Sequence, residues 1–161
     1  MSTYVGGNAL PGPSLEHVAE THWQFELFKA GLLPRVEITE ASAETLSNSD
    51  GTRIVKVTAT VTNTGQLATH LERGARLAGN RNDAIWLIGD RNRVNYLQGD
   101  VWQSLGTLSG VMATPGGGEG GAQSGNTREV TWLVSIEGNS PLKLVLTSQK
   151  GGTRVRELTV R

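Results

Sequence analysis

The stretch RIVKVTATVTNTG, residues 53–65, decides the fold of this chain. From residue 55 the odd positions are apolar and the even positions are polar, in the order Val55, Lys56, Val57, Thr58, Ala59, Thr60, Val61 and Thr62. A period of two is typical of a half-buried β-strand, because successive side chains point to opposite faces of a sheet. The β-branched residues favour the same structure. Asn63, Thr64 and Gly65 then end the strand with residues that tolerate turns.

Shorter stretches with the same alternation follow along the chain. Two of the clearest are VTWLVSI, residues 130–136, and LKLVL, residues 142–146. Pro34 precedes a first strand at residues 35–39, and turn residues separate the others. Several short strands of this kind predict a mainly β fold, an antiparallel immunoglobulin-like β-sandwich. The remaining strands are expected at residues 84–88, 94–97, 102–108 and 153–160.

Two segments between the strands lack β signals. Residues 66–79 predict a long connection with a short helix. Residues 115–125, PGGGEGGAQSG, predict a flexible loop. This loop has no G-x-x-x-x-G-K-[ST] pattern, so a P-loop is excluded.

A helix is predicted before the sandwich, from Leu15 to Ala30, with Ser14 as its N-cap and Gly31 near its end. Apolar residues occupy most of its circumference: Leu15, Val18, Ala19, Trp23, Phe25, Leu27, Phe28 and Ala30. So wide an apolar surface predicts a large packing partner, and a helix that closes one end of the sandwich is the alternative. We therefore expect an N-terminal segment with its helix at residues 1–32 and a β-sandwich domain at residues 33–161.

Composition excludes several classes of protein. The formal net charge is zero, from 15 basic and 15 acidic residues, whereas nucleic-acid-binding proteins usually have a basic excess. Cysteine is absent, which excludes disulfides and thiolate metal sites. The N-terminal stretch MSTYVGGNALPGPS has neither the basic nor the apolar region of a signal peptide. No apolar run approaches the roughly 18 residues of a membrane span. We expect a soluble chain that binds no nucleic acid.

One short motif has metal-ligand chemistry. His17 and Glu20 form an H-x-x-E pair, and residues three apart share one face of a helix. His22 lies about 140° around the helix from His17, so it cannot complete a site. His70 would complete a zinc site only by tertiary folding. The alternative is that these helical residues form a solvated polar strip.

Trp86, Tyr96 and Trp102 are the candidate binding residues. Exposed and coplanar, their rings would stack on sugars, as the aromatic residues of β-sandwich modules do. The apolar run around Trp86 instead favours a core position for that residue, and Trp132 is assigned to the core from its inward position. The arginines between residues 73 and 93, Arg81 among them, are interleaved with acidic residues, which favours local ion pairs at the surface.

Five stretches, in this order, resemble the C-terminal part of bacterial zinc carboxypeptidases of the carboxypeptidase A type. They are HWQFELFKAGLLPRVEI (22–38), VTATVTNTGQLATHL (57–71), LQGDVWQSLGTLSG (97–110), VTWLVSIEG (130–138) and SQKGGT (148–153). In those enzymes the last helix of the catalytic domain runs into a β-sandwich, which has an N-T-G turn and closes on a K-G-G-T hairpin. The resemblance thus covers nearly the whole chain.

This resemblance implies that the zinc ligands would precede Met1, and that zinc belongs only to a missing catalytic domain. The family's catalytic glutamate stands in an E-x-G-G stretch, and Tyr4 holds that position here, before Val5, Gly6 and Gly7. The chain is therefore not expected to be an enzyme itself. No cofactor is expected in this chain. Proteins of the parent family are often exported, but the localisation of this chain stays open.

The function that follows is a noncatalytic accessory β-sandwich domain, which stabilises or orients a peptidase domain bound through the helix from Leu15 to Ala30. The alternative partner for this helix is a second copy of the chain, which would give a homodimer. The alternative function is a module that binds carbohydrate or a cell surface through Trp86, Tyr96 and Trp102.

Overall fold

The computed structural model describes residues 13–71, 74, 79, 81–111 and 125–160. These residues form one helix and eight strands. The helix is α1, Pro13–Gly31, and the strands are β1 (Val36–Ser49), β2 (Thr52–Asn63), β3 (Asp83–Ile88), β4 (Val94–Gln98), β5 (Trp102–Gly106), β6 (Thr127–Glu137), β7 (Leu142–Ser148) and β8 (Gly152–Leu158). The predicted loop at residues 115–125 lies, except for Gly125, outside the described residues, as does most of the connection after Leu71.

The strands of the described residues form two antiparallel sheets. The first sheet has the order β1-β2-β6-β4, and the second sheet has the order β5-β3-β7-β8. The orders β1-β2-β6-β4 and β3-β7-β8 are those of the ABED and CFG strands of a constant-type immunoglobulin domain, and β5 adds an edge strand beside β3. The predicted immunoglobulin-like β-sandwich with one N-terminal helix is confirmed.

The inward side chains of the two sheets form one hydrophobic core. In β2 the odd positions predicted to face inward, Val55 to Val61, are fully buried. Trp132 of β6 lies at the same depth, as predicted, and its indole Nε1 donates a hydrogen bond to the carbonyl oxygen of Asp100 at 2.8 Å. This bond satisfies the only polar atom of the largest core side chain. Leucines of β7 complete the core from the second sheet: Leu142, Leu144 and Leu146.

Strand β1 is much longer than the sequence predicts. It pairs with β2 along its whole length, with register shifts between Ile38 and Glu40 and between Thr45 and Ser47. Its second half is rich in residues of low β-propensity, and pairing with β2 overrides that preference. The hairpin between the two strands turns at Asp50 and Gly51, whose φ angles of 50° and 80° are both positive. Aspartate and glycine are the residues that this kind of turn selects.

The Asn63 side chain makes hydrogen bonds to the backbone of four residues in three segments of the sandwich. Its Oδ1 accepts hydrogen bonds from the backbone N–H groups of Arg35 and Gly65, each at 3.0 Å. Its Nδ2 donates to the carbonyl oxygens of Leu67 and Ser109 at 2.8 and 3.0 Å. A Cβ atom at Gly65 would lie 2.3 Å from the carbonyl oxygen of Leu33, so only glycine fits there. The predicted turn at residues 63–65 is therefore a structural anchor.

Strands β1 and β8 lie at neighbouring edges of the two sheets. The guanidinium of Arg156 in β8 reaches across to β1, where its Nη1 donates to the carbonyl oxygens of Ile38 and Thr39 at 3.2 and 3.5 Å. The side chains of β8 are exposed from Gly152 to Glu157. The neighbouring edges of the two sheets are thus joined to each other by a side chain rather than by hydrogen bonds between backbones.

The chain divides into two units, Met1–Leu32 and Leu33–Arg161. The first unit contains α1, whose large apolar side chains are exposed: Leu15, Trp23, Phe25, Leu27 and Phe28. Lys29 pairs with Glu26 and lies 4.9 Å from the ring centre of Phe25. In the described part of the chain, no helix is long and apolar enough to cross a membrane.

Candidate functional site

The second sheet carries an unusual row of residues on its solvent side. In β3, Ile85 and Leu87 point into the core, so Ala84 and Trp86 point to the opposite side, which we call the outer face. Trp86 lies directly opposite Trp102 of β5 and opposite Val145 of β7, and Val145 lies opposite Val155 of β8. We call these four residues, Trp102, Trp86, Val145 and Val155, the tryptophan row. It crosses all four strands.

A row of small residues lies next to the tryptophan row. Ala84 is opposite Ser104 on one side and Thr147 on the other, and Thr147 is opposite Thr153. We call these four residues the small-residue row. Because their side chains are much shorter than the two indoles, the outer face is lower here than at the tryptophan row.

The step between the two rows forms an open cleft of about 1040 Å³. Trp86 and Trp102 line one side, and Ala84, Thr147 and Thr153 contribute the small residues. The remaining lining residues, Arg81, Asn82, Ser148 and Gln149, come from the segment before β3 and from the end of β7. An apolar wall with a few polar groups around it is the usual character of a ligand-binding site.

The two tryptophans differ in exposure. Trp102 is 53% exposed on the edge strand β5, whereas Trp86 is partly buried between its neighbours in the middle of the sheet. The core position that the apolar run favours for Trp86 is wrong. The run is apolar because β3 is a central strand of the second sheet, so its outward side chains are also largely covered by neighbours.

Tyr96 does not join the tryptophans. It belongs to β4 in the first sheet, where it lies opposite Val134, and its ring packs against the core. Its hydroxyl donates a hydrogen bond to the carbonyl oxygen of Leu87 in the second sheet. Burial raises the pKa of the Tyr96 hydroxyl above its ordinary value of 10.0. Tyr96 therefore connects the two sheets, and the structure brings together only Trp86 and Trp102 of the three predicted binding residues.

A buried pair of titratable residues lies behind the cleft. His70 is 4% exposed and Asp83 is fully buried, with 4.0 Å between His70 Nδ1 and Asp83 Oδ2. Neither carboxylate oxygen of Asp83 has a hydrogen-bond partner. His70 Nε2 lies 3.1 Å from the carbonyl oxygen of Arg81, which makes this nitrogen the donor. The imidazole thereby holds the backbone of a residue that lines the cleft.

This pair does not have the arrangement of a catalytic triad. The hydroxyl oxygen of Thr69 lies 3.3 Å from His70 Nδ1, the same nitrogen that faces Asp83. In a triad the nucleophile and the carboxylate contact different nitrogens of the imidazole. The Thr69 hydroxyl also accepts a hydrogen bond from the backbone N–H of Leu108, at 3.0 Å. Together, the contacts of His70 and Thr69 hold the connection after β2 against the start of β3 and against the segment after β5.

The predicted metal ligands lie in two different units of the chain. His17 and Glu20 are exposed side chains on α1, whereas His70 is buried in the other unit of the chain. Among the described residues, no group of three His, Cys, Asp or Glu side chains could hold a metal ion.

One family profile matches the sandwich. It is the family described as a domain of unknown function, DUF8731, and it matches residues 35–159. This chain belongs to the DUF8731 family. No curated protein matches the chain.

The DUF8731 match begins just before β1 and ends just after β8, so it contains both sheets and every residue that lines the cleft. Helix α1 lies outside the match. The cleft is therefore part of the DUF8731 domain itself rather than of the segment before it.

Several residues of the cleft are not among the sequence candidates. Thr147 and Thr153 carry no motif, and Arg81 is interpreted from the sequence as one member of a surface ion-pair cluster. The alternation in β7 does predict that Val145 and Thr147 share one face. Their position beside Trp86 depends on the register between β3 and β7, which alternation within one strand does not specify.

Proposed function

We propose that this DUF8731 chain is a noncatalytic accessory β-sandwich domain that binds carbohydrate in the cleft of its second sheet. The observation that carries this proposal is the direct pairing of Trp86 with Trp102 beside the small-residue row. An exposed apolar surface of this kind on a sheet face is typical of an interaction site.

Each part of the cleft supplies a different interaction with a sugar. The indole rings of Trp86 and Trp102 offer flat apolar surfaces to the C–H face of a pyranose ring. The side chains of Thr147, Gln149 and Asn82 offer hydrogen-bond donors and acceptors to its hydroxyl groups. Specificity then comes from the polar groups, and much of the binding free energy comes from the aromatic wall.

Calorimetric titration of the full chain with a panel of soluble glycans tests this proposal. At least one glycan should bind, and Trp102→Ala should weaken its affinity by about 30-fold, as expected for an aromatic hot spot. Trp23→Ala is the matched control, because Trp23 is also highly exposed but lies on α1. Equal losses in the two variants, or no binding of any glycan, would contradict the proposal.

A second candidate function is the C-terminal accessory domain of a zinc carboxypeptidase-like protein. Two observations favour it beside the sequence resemblance. The DUF8731 match leaves α1 outside the sandwich domain, and the large apolar side chains of α1, from Leu15 to Phe28, are exposed. In this proposal α1 belongs to a preceding peptidase domain, the sandwich stabilises or orients that domain, and zinc binds only there. A homodimer through α1 is the alternative use of the same surface.

Two measurements test this second candidate. The coding sequence upstream of Met1 should contain, in frame, an H-x-x-E motif and a later histidine. The purified chain should release no C-terminal residues from peptides in the presence of zinc. Zinc-dependent release would be incompatible with a noncatalytic domain, and sedimentation of the chain as a dimer that Phe28→Ser dissociates would favour the homodimer instead.

A further inference from the structure

We infer that the ligand of the cleft is an anionic polysaccharide whose chain runs across the four strands of the second sheet, with an acidic group at Arg81. This inference rests on the proposed carbohydrate function and adds the direction, the charge and the polymeric nature of the ligand.

The direction follows from the strands that line the cleft. Its lining residues include Trp102 on β5, Trp86 on β3, Thr147 on β7 and Thr153 on β8. Neighbouring strands lie about 4.8 Å apart, so the three steps from β5 to β8 span roughly 14 Å perpendicular to the strands. Strands β5 and β8 are the two edges of the sheet. The cleft therefore extends to both edges, where a longer chain can continue, rather than enclosing the end of a ligand.

The charge of the ligand follows from the cleft lining. Arg81 is the only charged residue among the described residues that line the cleft, and no carboxylate is among them. A guanidinium binds a carboxylate or sulfate group with two parallel hydrogen bonds. The next charged residues on the outer face, Lys143 and Glu157, lie opposite each other on the far side of the tryptophan row and have opposite charges. Within the described lining of the cleft, an acidic group on the ligand therefore has one cation to face and no acid to repel it.

The position of Arg81 is built into the fold. Its carbonyl oxygen accepts a hydrogen bond from His70 Nε2, and Asp83, two residues further on, is fully buried at the start of β3. Its backbone is thus fixed between two buried residues while its side chain is exposed at the cleft. Less conformational freedom is lost on binding when the backbone that carries a charged group is already fixed.

The experiment compares two linear polysaccharides of matched backbone and length, one with carboxylate groups and one neutral, by calorimetry on the full chain. The carboxylated polymer should bind about tenfold more tightly at low salt, as expected for a charge-assisted hydrogen bond at the surface. Arg81→Gln should reduce its affinity to that of the neutral polymer, and added salt should do the same. Arg91→Gln is the matched control, because Arg91 is an exposed arginine of the β3–β4 turn that does not line the cleft.

A series of carboxylated oligomers tests the direction. Affinity should rise with length until an oligomer spans the roughly 14 Å between β5 and β8, and then level off. Thr153→Asp places a negative charge at the β8 end of the cleft. It should weaken the long oligomers by about tenfold and weaken the short ones, which contact Trp86 and Trp102, by a clearly smaller factor.

The outcomes separate this inference from the function on which it rests. Equal affinities for the two polymers, or an unchanged affinity in Arg81→Gln, would overturn the inference and leave carbohydrate binding at the tryptophans intact. Binding of neither polymer, together with a null result on the glycan panel, would overturn both. Binding of a proline-rich peptide with the same loss in Trp102→Ala, and of no saccharide, would assign the cleft to a protein partner instead.

Discussion

The two sheets of this sandwich share one core, but the side chains on their outer faces differ in polarity. On the first sheet, β2 points Thr58, Thr60 and Thr62 outward, and Thr131 and Glu129 of β6 lie opposite the first two. At the centre of the second sheet the corresponding surface is the tryptophan row. Hydroxyl and carboxylate groups suit a face that contacts only water, whereas exposed indoles leave apolar area in water at a cost of about 25 cal/mol per Å².

This difference is the reason for proposing the second sheet as the binding face. Single exposed apolar residues are ordinary on protein surfaces, but a contiguous row that crosses a sheet is not. The outer face of the first sheet, with Thr58, Thr60 and Thr62, is called the threonine face. Solvation and strand propensity alone explain it. The tryptophan row needs a further explanation, and the proposed carbohydrate ligand would supply one.

The largest effect is expected from a substitution in the core that both sheets share. Trp132→Ala should lower the free energy of unfolding by about 3–5 kcal/mol, because it removes a fully buried indole and leaves the Asp100 carbonyl without its donor. Urea denaturation monitored by circular dichroism measures this loss. Trp102→Ala, at an exposed position of the second sheet, should change the same quantity by less than about 1 kcal/mol. Similar losses in the two variants would show that Trp132 is not the centre of the core.

A second variant removes the buried histidine next to the start of β3. His70→Ala should cost about 3 kcal/mol of stability, because it removes a buried imidazole that donates to the Arg81 carbonyl oxygen and lies 4.0 Å from the fully buried Asp83. A double-mutant cycle with Asp83→Ala isolates the interaction between the two side chains. The double variant should be more stable than His70→Ala alone. Additive losses would mean that the two residues stabilise the sandwich independently.

A matched pair of charge insertions tests the two outer faces directly. Val145→Asp should cost about 2 kcal/mol, because it places a carboxylate in the partly buried centre of the tryptophan row. Thr58 is also partly buried, but it lies between the hydroxyl side chains of Ser42 and Thr131, so Thr58→Asp should change stability by no more than about 0.5 kcal/mol. Val145→Asp should also abolish glycan binding, while Thr58→Asp should leave it unchanged. If both variants lost the same stability, the two faces would not differ in the way described.

The smallest expected effect concerns the hydrogen bond that joins the two sheets. Tyr96→Phe should cost about 1 kcal/mol, since it removes the donor to the Leu87 carbonyl oxygen. Burial raises the pKa of this hydroxyl, so the unfolded chain loses the proton first as pH rises. The contribution of Tyr96 is therefore complete below pH 10.0 and is lost as pH rises through the raised pKa of the folded protein.

Denaturation midpoints measured across this alkaline range check the prediction. The native protein should lose stability more steeply above pH 10.0 than Tyr96→Phe does. Parallel curves for the two proteins would contradict the assignment of this pH dependence to Tyr96.

Alternation along single strands was enough to predict the sandwich and much of its core. Val55, Val57 and Trp132 face inward because each belongs to a strand with one apolar side, and this information is local. The site depends on information that is not local. Trp86 meets Trp102 only because β3 pairs with β5 in a particular register, and Tyr96 is absent from the site because β4 joins the other sheet.

The course of the chain between β3 and β5 explains why Tyr96 could not be assigned from the sequence. β4 lies between these strands in the chain, yet it pairs with β6 across the sandwich. Which sheet β4 joins depends on how all eight described strands pack together. No pattern in VNYLQ, the sequence of β4, distinguishes the two sheets.

The contact of Arg156 with β1 has a consequence for how the protein behaves at high concentration. Edge strands expose backbone groups on which another chain can add a strand, and such addition begins edge-to-edge aggregation. The charged guanidinium of Arg156 donates hydrogen bonds to the carbonyl oxygens of Ile38 and Thr39, at the place where β1 changes register. An irregular ladder and a fixed positive charge both hinder the docking of a second copy. The side chain that connects the two sheets therefore also protects the open side of the sandwich against self-association.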